Sequence, residues 1–143
     1  MVYASFSRRQ DPENVKTNTN LMNFLLIAIG GACGSVLRHL IQISVVAGKF
    51  PLGTFLVNVL GSMLAGAAYY FVIKYFDTID PRLKNFIFAG FLGGFTTFSA
   101  FSLDFFRLFS AGNYSQAFLY ALATVTLSIL ALFFGFYLTK LIA

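Results

Sequence analysis

The sequence predicts an all-α integral membrane protein of four transmembrane helices with a break in the third. Three observations carry that reading. Of 143 residues, 58% are hydrophobic and 10% charged, whereas soluble domains carry about 25% charged residues; a soluble fold would lack the charge to cover its surface. Ten of the fifteen charges fall after residue 20, separated by uncharged runs of 21 residues at 17–37, 24 at 50–73, 19 at 85–103 and 32 at 108–139. A bilayer-spanning helix needs about 20 apolar residues, so each run can cross once. The third run also holds GFLGGFTTFSAF at 90–101, weak helix formers where a continuous helix favours Ala or Leu.

Residues 1–20 are polar, with Arg8, Arg9, Asp11, Pro12, Glu13 and Lys16 and nothing periodic to bury, and read as a disordered tail. A signal peptide is not indicated, because the apolar run that follows is too long and has no small-residue cleavage pattern before Arg38. The four-helix domain takes residues 21–143. Its spans are predicted at 21–46, 53–75, 84–106 and 114–142. The links between them are short and carry breakers: Pro51 in 48–52, Asp77, Asp80 and Pro81 in 76–82, Gly112 in 108–113. Such links join adjacent antiparallel helices and leave no room for an extramembrane domain.

Composition excludes several functions. The net charge of +5 comes from basic residues scattered to span ends, where they set topology and meet lipid headgroups rather than a nucleic acid. Cys33 is the only cysteine and His39 the only histidine, and no Glu follows residue 20. Neither a disulfide, a metal cluster nor a Ser-His-Asp arrangement can be assembled, and an enzyme is not expected. Four spans put both termini on one side of the membrane. That side carries Lys74, Arg82, Lys84 and Lys140 against Arg38, Lys49 and Arg107 on the other, almost no positive-inside bias. Adding Arg8, Arg9 and Lys16 favours the termini inside. The balanced count permits insertion in both orientations and hence an antiparallel homodimer.

Polar residues within spans are costly and face a partner helix or a hydrated path. Thr54, Asn58 and Ser62 recur every four residues in span two, as do Tyr120, Thr124 and Ser128 in span four, so each set shares a helix face. Interhelical hydrogen bonding explains either stripe alone; two stripes shift the balance toward a path. A broken third span would free backbone carbonyls, which another helix or a hard cation must satisfy. Close glycine packing with threonine back-bonding is the plainer explanation. Phe98 and Phe101 point the same way; they either pack against lipid or turn their electropositive ring edges to an anion. Arg38 either snorkels from a span end or draws anions into a vestibule. Asp104 is spaced to pair with Arg107 at i, i+3, and Gly30-Gly34 and Ser62-Gly66 are spaced for tight helix contacts.

GGACGSVLRH at 30–39, PLGTFLVNVLGS at 51–62 and GFLGGFTTFSAF at 90–101 resemble, in order and spacing, the signature segments of the Fluc fluoride channels, also called CrcB proteins. The resemblance spans residues 22–143, and its span-three core is the most specific part. It implies a passive, fluoride-selective channel of the plasma membrane, the inner membrane of a bacterium, giving fluoride resistance. It further implies an antiparallel dual-topology homodimer in the lipid bilayer with two pores. Carried over by motif, Asn58 is the pore amide and Phe98 and Phe101 the paired rings, with Ser99 nearby. Tyr120, Thr124 and Ser128 form the polar track, Arg38 stands near the vestibule, and Thr54 joins the pore set. A structural sodium ion is implied at Gly93 and Thr96 through backbone carbonyls. Ala100 and Asp104 depart from the residues common in the family, and the basic tail upsets its balanced topology, which leaves two alternatives: insertion of this chain both ways, or pairing with an oppositely oriented paralogue.

The chemistry is consistent with the residues. Fluoride holds its water tightly, so a pore must replace that water with many moderate donors, and a fixed cation at the narrowest point would hold the ion too long. The main rival is a small multidrug-resistance-type exporter coupled to protons. It requires a membrane-embedded carboxylate, and Asp104 is the only acidic residue near a span interior. A non-transporting assembly subunit ranks last, because it leaves the helix-breaking segment and the two stripes unexplained.

Overall fold

The computed structural model describes residues 12–45, 50–75 and 78–143, with side chains from Asn20 onward. Helix α1 covers Pro12–Ser44, α2 Leu52–Lys74 and α3 Pro81–Asn85. A π-helical stretch, Phe86–Leu92, leads into the single turn α4, Gly93–Phe95. Helix α5 covers Phe98–Ser110 and α6 Tyr114–Ile142. Four stretches are long and apolar enough to cross a membrane: Asn20–Ser44, Leu52–Lys74, Pro81–Ser110 and Tyr114–Ile142. The chain is therefore an all-helical, four-span protein. Helix α1 starts upstream of its span, at Pro12, so residues 12–20 of the tail expected to be disordered over 1–20 are helical, continuing the span's backbone hydrogen bonding toward the N-terminus. Residues 1–11 of that expectation lie outside the described residues, as do Lys49 of the topology count and Asp77 of the second link.

The third span departs most from a plain rod. Pro81 opens it at the first helical position, and the Asp80 carboxylate accepts the Arg82 N–H at 2.8 Å, which satisfies one of the donors a helix start leaves free. Thr96 (φ −82°, ψ 157°) and Thr97 (φ −153°, ψ 117°) are extended. Thr97 then caps α5, its hydroxyl accepting the Ala100 N–H at 3.1 Å. Helix α5 stops at Gly112 (φ 76°), where the Gly112 and Asn113 N–H groups turn back to Phe109 O and Leu108 O, each at 3.0 Å. Glycine takes this left-handed conformation without the Cβ penalty.

Between membrane helices there is little hydrophobic drive, so association depends on close packing. Helix α2 packs along α6, and α1 against the π-helical stretch and α4. A Cβ on Gly66 would meet Leu132 O, and one on Gly135 would meet Met63 O. Tyr70 and Phe136 continue the seam, with ring centroids 5.7 Å apart. Gly30 and Gly34 bring α1 against the backbone of Phe86, Phe91 and Phe95 in the same manner. Phe50 packs on Tyr120 at one end and Lys74 Nζ donates to Ala143 O at the other, so α2 runs parallel to α6; Gly30 meets Phe86 and Gly34 meets Phe95, so α1 runs parallel to the third span, as an up-down-up-down chain requires. Gly66→Leu is expected to destabilise the protein by about 1–3 kcal/mol through overpacking, read as a lower thermal midpoint in detergent; an unchanged midpoint would show that α2 and α6 separate freely.

Candidate functional site

The bend in the third span is held from α2. Asn58 Nδ2 donates to Thr97 O at 3.1 Å, and the Thr97 N–H donates to Asn58 Oδ1 at 2.8 Å. One carboxamide thus answers both backbone groups of an extended residue, which needs a side chain carrying a donor and an acceptor together. From α1, Ser35 Oγ donates to Gly94 O at 3.3 Å and accepts from Arg38 Nη2 at 3.5 Å. A Cβ on Gly94 would collide with Gly31 O, so the bare backbone is what lets α1 come this close.

These bonds redistribute the carbonyls. A continuous helix would aim the Thr97 N–H at Gly93 O and the Ala100 N–H at Thr96 O. Here the first goes to Asn58 and the second to the Thr97 hydroxyl. Thr96 meanwhile bonds back to Leu92 O through both its N–H, at 3.0 Å, and its hydroxyl, at 2.9 Å. The close glycine packing and the threonine back-bonding are both present, together with the rearranged carbonyls.

Beside the bend lies a groove of about 460 Å³ between α2, the third span and α6, lined among others by Asn58, Ser62, Phe98, Phe101, Thr124 and Ser128. Among the described residues no charged side chain lines it, and Gly93 and Thr96 form part of its wall. The Phe98 and Phe101 rings are 5.4 Å apart at 40°, and Phe101 sits 5.3 Å from Tyr120. Phe101 is buried, whereas Phe98 is 77% exposed. Among the described residues, Thr124 Oγ1, Ser128 Oγ and Tyr120 OH are buried without a hydrogen-bond partner. A hydroxyl in that position forgoes the bonds it makes in water, a cost of about 1–3 kcal/mol.

Thr54 leaves its stripe-mates for a second hollow of about 430 Å³, shared with Gln42, Asp104 and Arg107. Gln42 Nε2 donates to Thr54 Oγ1 at 3.2 Å, and Thr54 Oγ1 donates to Asp104 Oδ2 at 2.7 Å. Arg107 pairs with the other carboxylate oxygen at 3.4 Å, at the i, i+3 spacing anticipated from sequence. The Asp104 side chain is only 15% exposed and the Arg107 side chain 68%. Sequence reasoning passed over Gln42; its only signal was an amide near the end of span one. Ser99 bonds the Thr97 hydroxyl at 3.2 Å and lines neither hollow, and Arg38 also stands apart from both. Tyr120 sits behind Phe101, against whose ring it packs, and lines neither hollow.

Four spans, an extended kink and a charge-free groove studded with hydroxyl and amide donors define a small multi-pass membrane protein built around polar groups within the bilayer. The family model of the CrcB-like proteins, described as "CrcB-like protein, Camphor Resistance (CrcB)", matches residues 25–136. The "Fluoride-specific ion channel FluC" of Azobacteroides pseudotrichonymphae is 41% identical over 123 residues, 84% of this chain and 98% of its own. The protein of the same name from Hahella chejuensis is 43% identical over 123 residues, covering 84% and 96%. That from Rhizobium meliloti is 43% identical over 121 residues, covering 82% and 96%. The chain belongs to the CrcB-like family.

Proposed function

We propose that this protein is a fluoride-selective channel that lets fluoride leave the cell passively and so confers fluoride resistance, with two pores in an antiparallel homodimer. The observation that carries the reading is the groove's donor set: Thr124 and Ser128 hold buried, unpartnered hydroxyls beside Asn58 and the Phe98–Phe101 pair. Uncharged donors of moderate strength replace the water of a small, tightly hydrated anion without trapping it. The ring edges add partial positive charge. The names of the relatives, fluoride-specific ion channels at about 40% identity over most of the chain, agree with this.

The dimer rests on two supports. Phe98 is 77% exposed on the rim of the groove, where a second, inverted copy would cover it. Counted over residues 21–143, four basic residues stand against three, which permits both insertions, whereas the basic tail makes the count seven against three and favours the termini inside. The backbone at the bend fits the structural sodium ion that the family resemblance implies, since the usual donors to Gly93 O and Thr96 O are diverted to side chains. Those two carbonyls would hold the ion, and its charge would tie the bends of two protomers together. Proton-coupled cation export is disfavoured because no acidic residue lines the groove among the described residues and Asp104 is engaged by Thr54 and Arg107 at the span end.

Fluoride efflux from liposomes, followed with a fluoride electrode against chloride efflux and empty vesicles, tests the reading. Fast passive fluoride efflux that excludes chloride is expected, and absence of flux from folded, dimeric protein overturns it. Phe98→Ile and Phe101→Ile are each expected to slow flux about tenfold or more, the equivalent of roughly 1.4 kcal/mol, while the dimer still assembles. Wild-type rates in both variants would remove the rings from the mechanism.

A further inference from the structure

The bend sorts its carbonyls between two fates, and a residue outside the groove takes part in the sorting. Gly94 O and Thr97 O are each bonded by a side chain of another helix, Ser35 of α1 and Asn58 of α2. Gly93 O and Thr96 O are the pair whose helical donors go elsewhere. The two sets interleave along the chain, so fixing Gly94 and Thr97 from either side sets the direction of the peptides between them. We infer that Ser35 is a positioning residue for a cation held by the Gly93 and Thr96 carbonyls. It pins the Gly94 peptide and so holds the neighbouring Gly93 and Thr96 carbonyls in a ligating orientation. The inference rests on the sodium reading above and deepens it.

The geometry confines this role to a small hydroxyl at position 35. Gly34, beside it, lies so close to the third span that a Cβ there would meet Phe91 O and stand 2.8 Å from Phe95 N. Ser35 is therefore carried to the Gly94 carbonyl by backbone contact, with a short, single-rotor side chain to span the rest. Arg38 Nη2 donates to the same hydroxyl at 3.5 Å, which leaves its proton directed at Gly94 O. Alanine at this position keeps the helix and the glycine packing and removes only the bond, so the fold is not at stake. Threonine keeps the hydroxyl.

The test is the sodium dependence of dimer stability, measured on the purified full chain by thermal unfolding and by dimer fraction across a sodium titration, with N-methylglucamine as replacement cation. For Ser35→Ala, the sodium concentration at half-maximal stabilisation is expected to rise roughly two- to tenfold, the worth of one net hydrogen bond. At saturating sodium the dimer fraction should match the wild type, and Ser35→Thr should restore the midpoint. An unshifted midpoint in Ser35→Ala, or an equal stability loss at every sodium concentration, overturns the positioning role while leaving the cation in place. A wild-type dimer indifferent to sodium overturns the cation reading and this inference together.

Discussion

Asn58→Asp is expected to reduce fluoride flux by about a thousandfold while leaving a folded protein. The carboxylate keeps an oxygen to accept the Thr97 N–H, the shorter of the two bonds at 2.8 Å, and loses the donor to Thr97 O. The bend is therefore weakened, not abandoned. The charge is a larger effect. A unit negative charge 4 Å from a passing anion opposes it by about 4 kcal/mol at an effective dielectric of 20, which is close to three decades in rate. Among the described residues the groove wall offers no basic side chain to offset it. Asn58→Ala separates the two contributions: it adds no charge but leaves both backbone groups of Thr97 unanswered within the membrane, at about 1–3 kcal/mol each. Its thermal midpoint should fall below that of the wild type, and its flux loss should be smaller than that of Asn58→Asp because no charge opposes the anion. Rapid fluoride flux through folded Asn58→Asp would place the ion path somewhere other than this groove.

The four spans were legible because a bilayer penalises charge, and the uncharged runs are what that penalty leaves. Span four begins and ends where hydropathy places it, at Tyr114–Ile142. Span three extends further in both directions, Pro81–Ser110, because Arg82, Lys84 and Arg107 have side chains long enough to reach the interface while their backbones remain helical. The π-helical register at Phe86–Leu92 had no local signature. It forms where Gly30 and Gly90 let α1 press against the third span, a contact that depends on tertiary packing.

The candidate site was legible one helix at a time. A repeat of four residues identified Thr54, Asn58 and Ser62 as a face, but each step of four advances about 40° beyond a full turn at 3.6 residues per turn. That drift, with the splay of the helices, sends Thr54 to Asp104 while Asn58 and Ser62 reach the groove. The i, i+3 pairing of Asp104 with Arg107 could be read from one helix. Its bond to Thr54 depends on the register between two helices, as does that of Ser35 to Gly94. No spacing along the chain contains such a register. Arg38 shows the limit from the other side: its charge drew attention, yet its bond goes to Ser35 on its own helix.

The double variant Thr124→Val/Ser128→Ala is expected to separate flux from stability in the direction opposite to most core changes. Both hydroxyls are buried with no hydrogen-bond partner among the described residues, so the folded protomer bears their desolvation and gains no bond in return. Valine has nearly the shape of threonine and removes that cost; alanine does the same for serine with the loss of one small group. The thermal midpoint should hold or rise. A permeating fluoride, however, loses two donors in succession, and a hydrogen bond to a charged group is worth about 1.5–3 kcal/mol. Flux should fall by on the order of a hundredfold, and each single variant should show about tenfold. A variant that melts earlier and conducts normally would mean that the hydroxyls serve the fold through partners they acquire in the membrane. Higher stability with lost conduction would mean that the protein keeps these polar groups unsatisfied for the ion's sake, a local strain maintained by function.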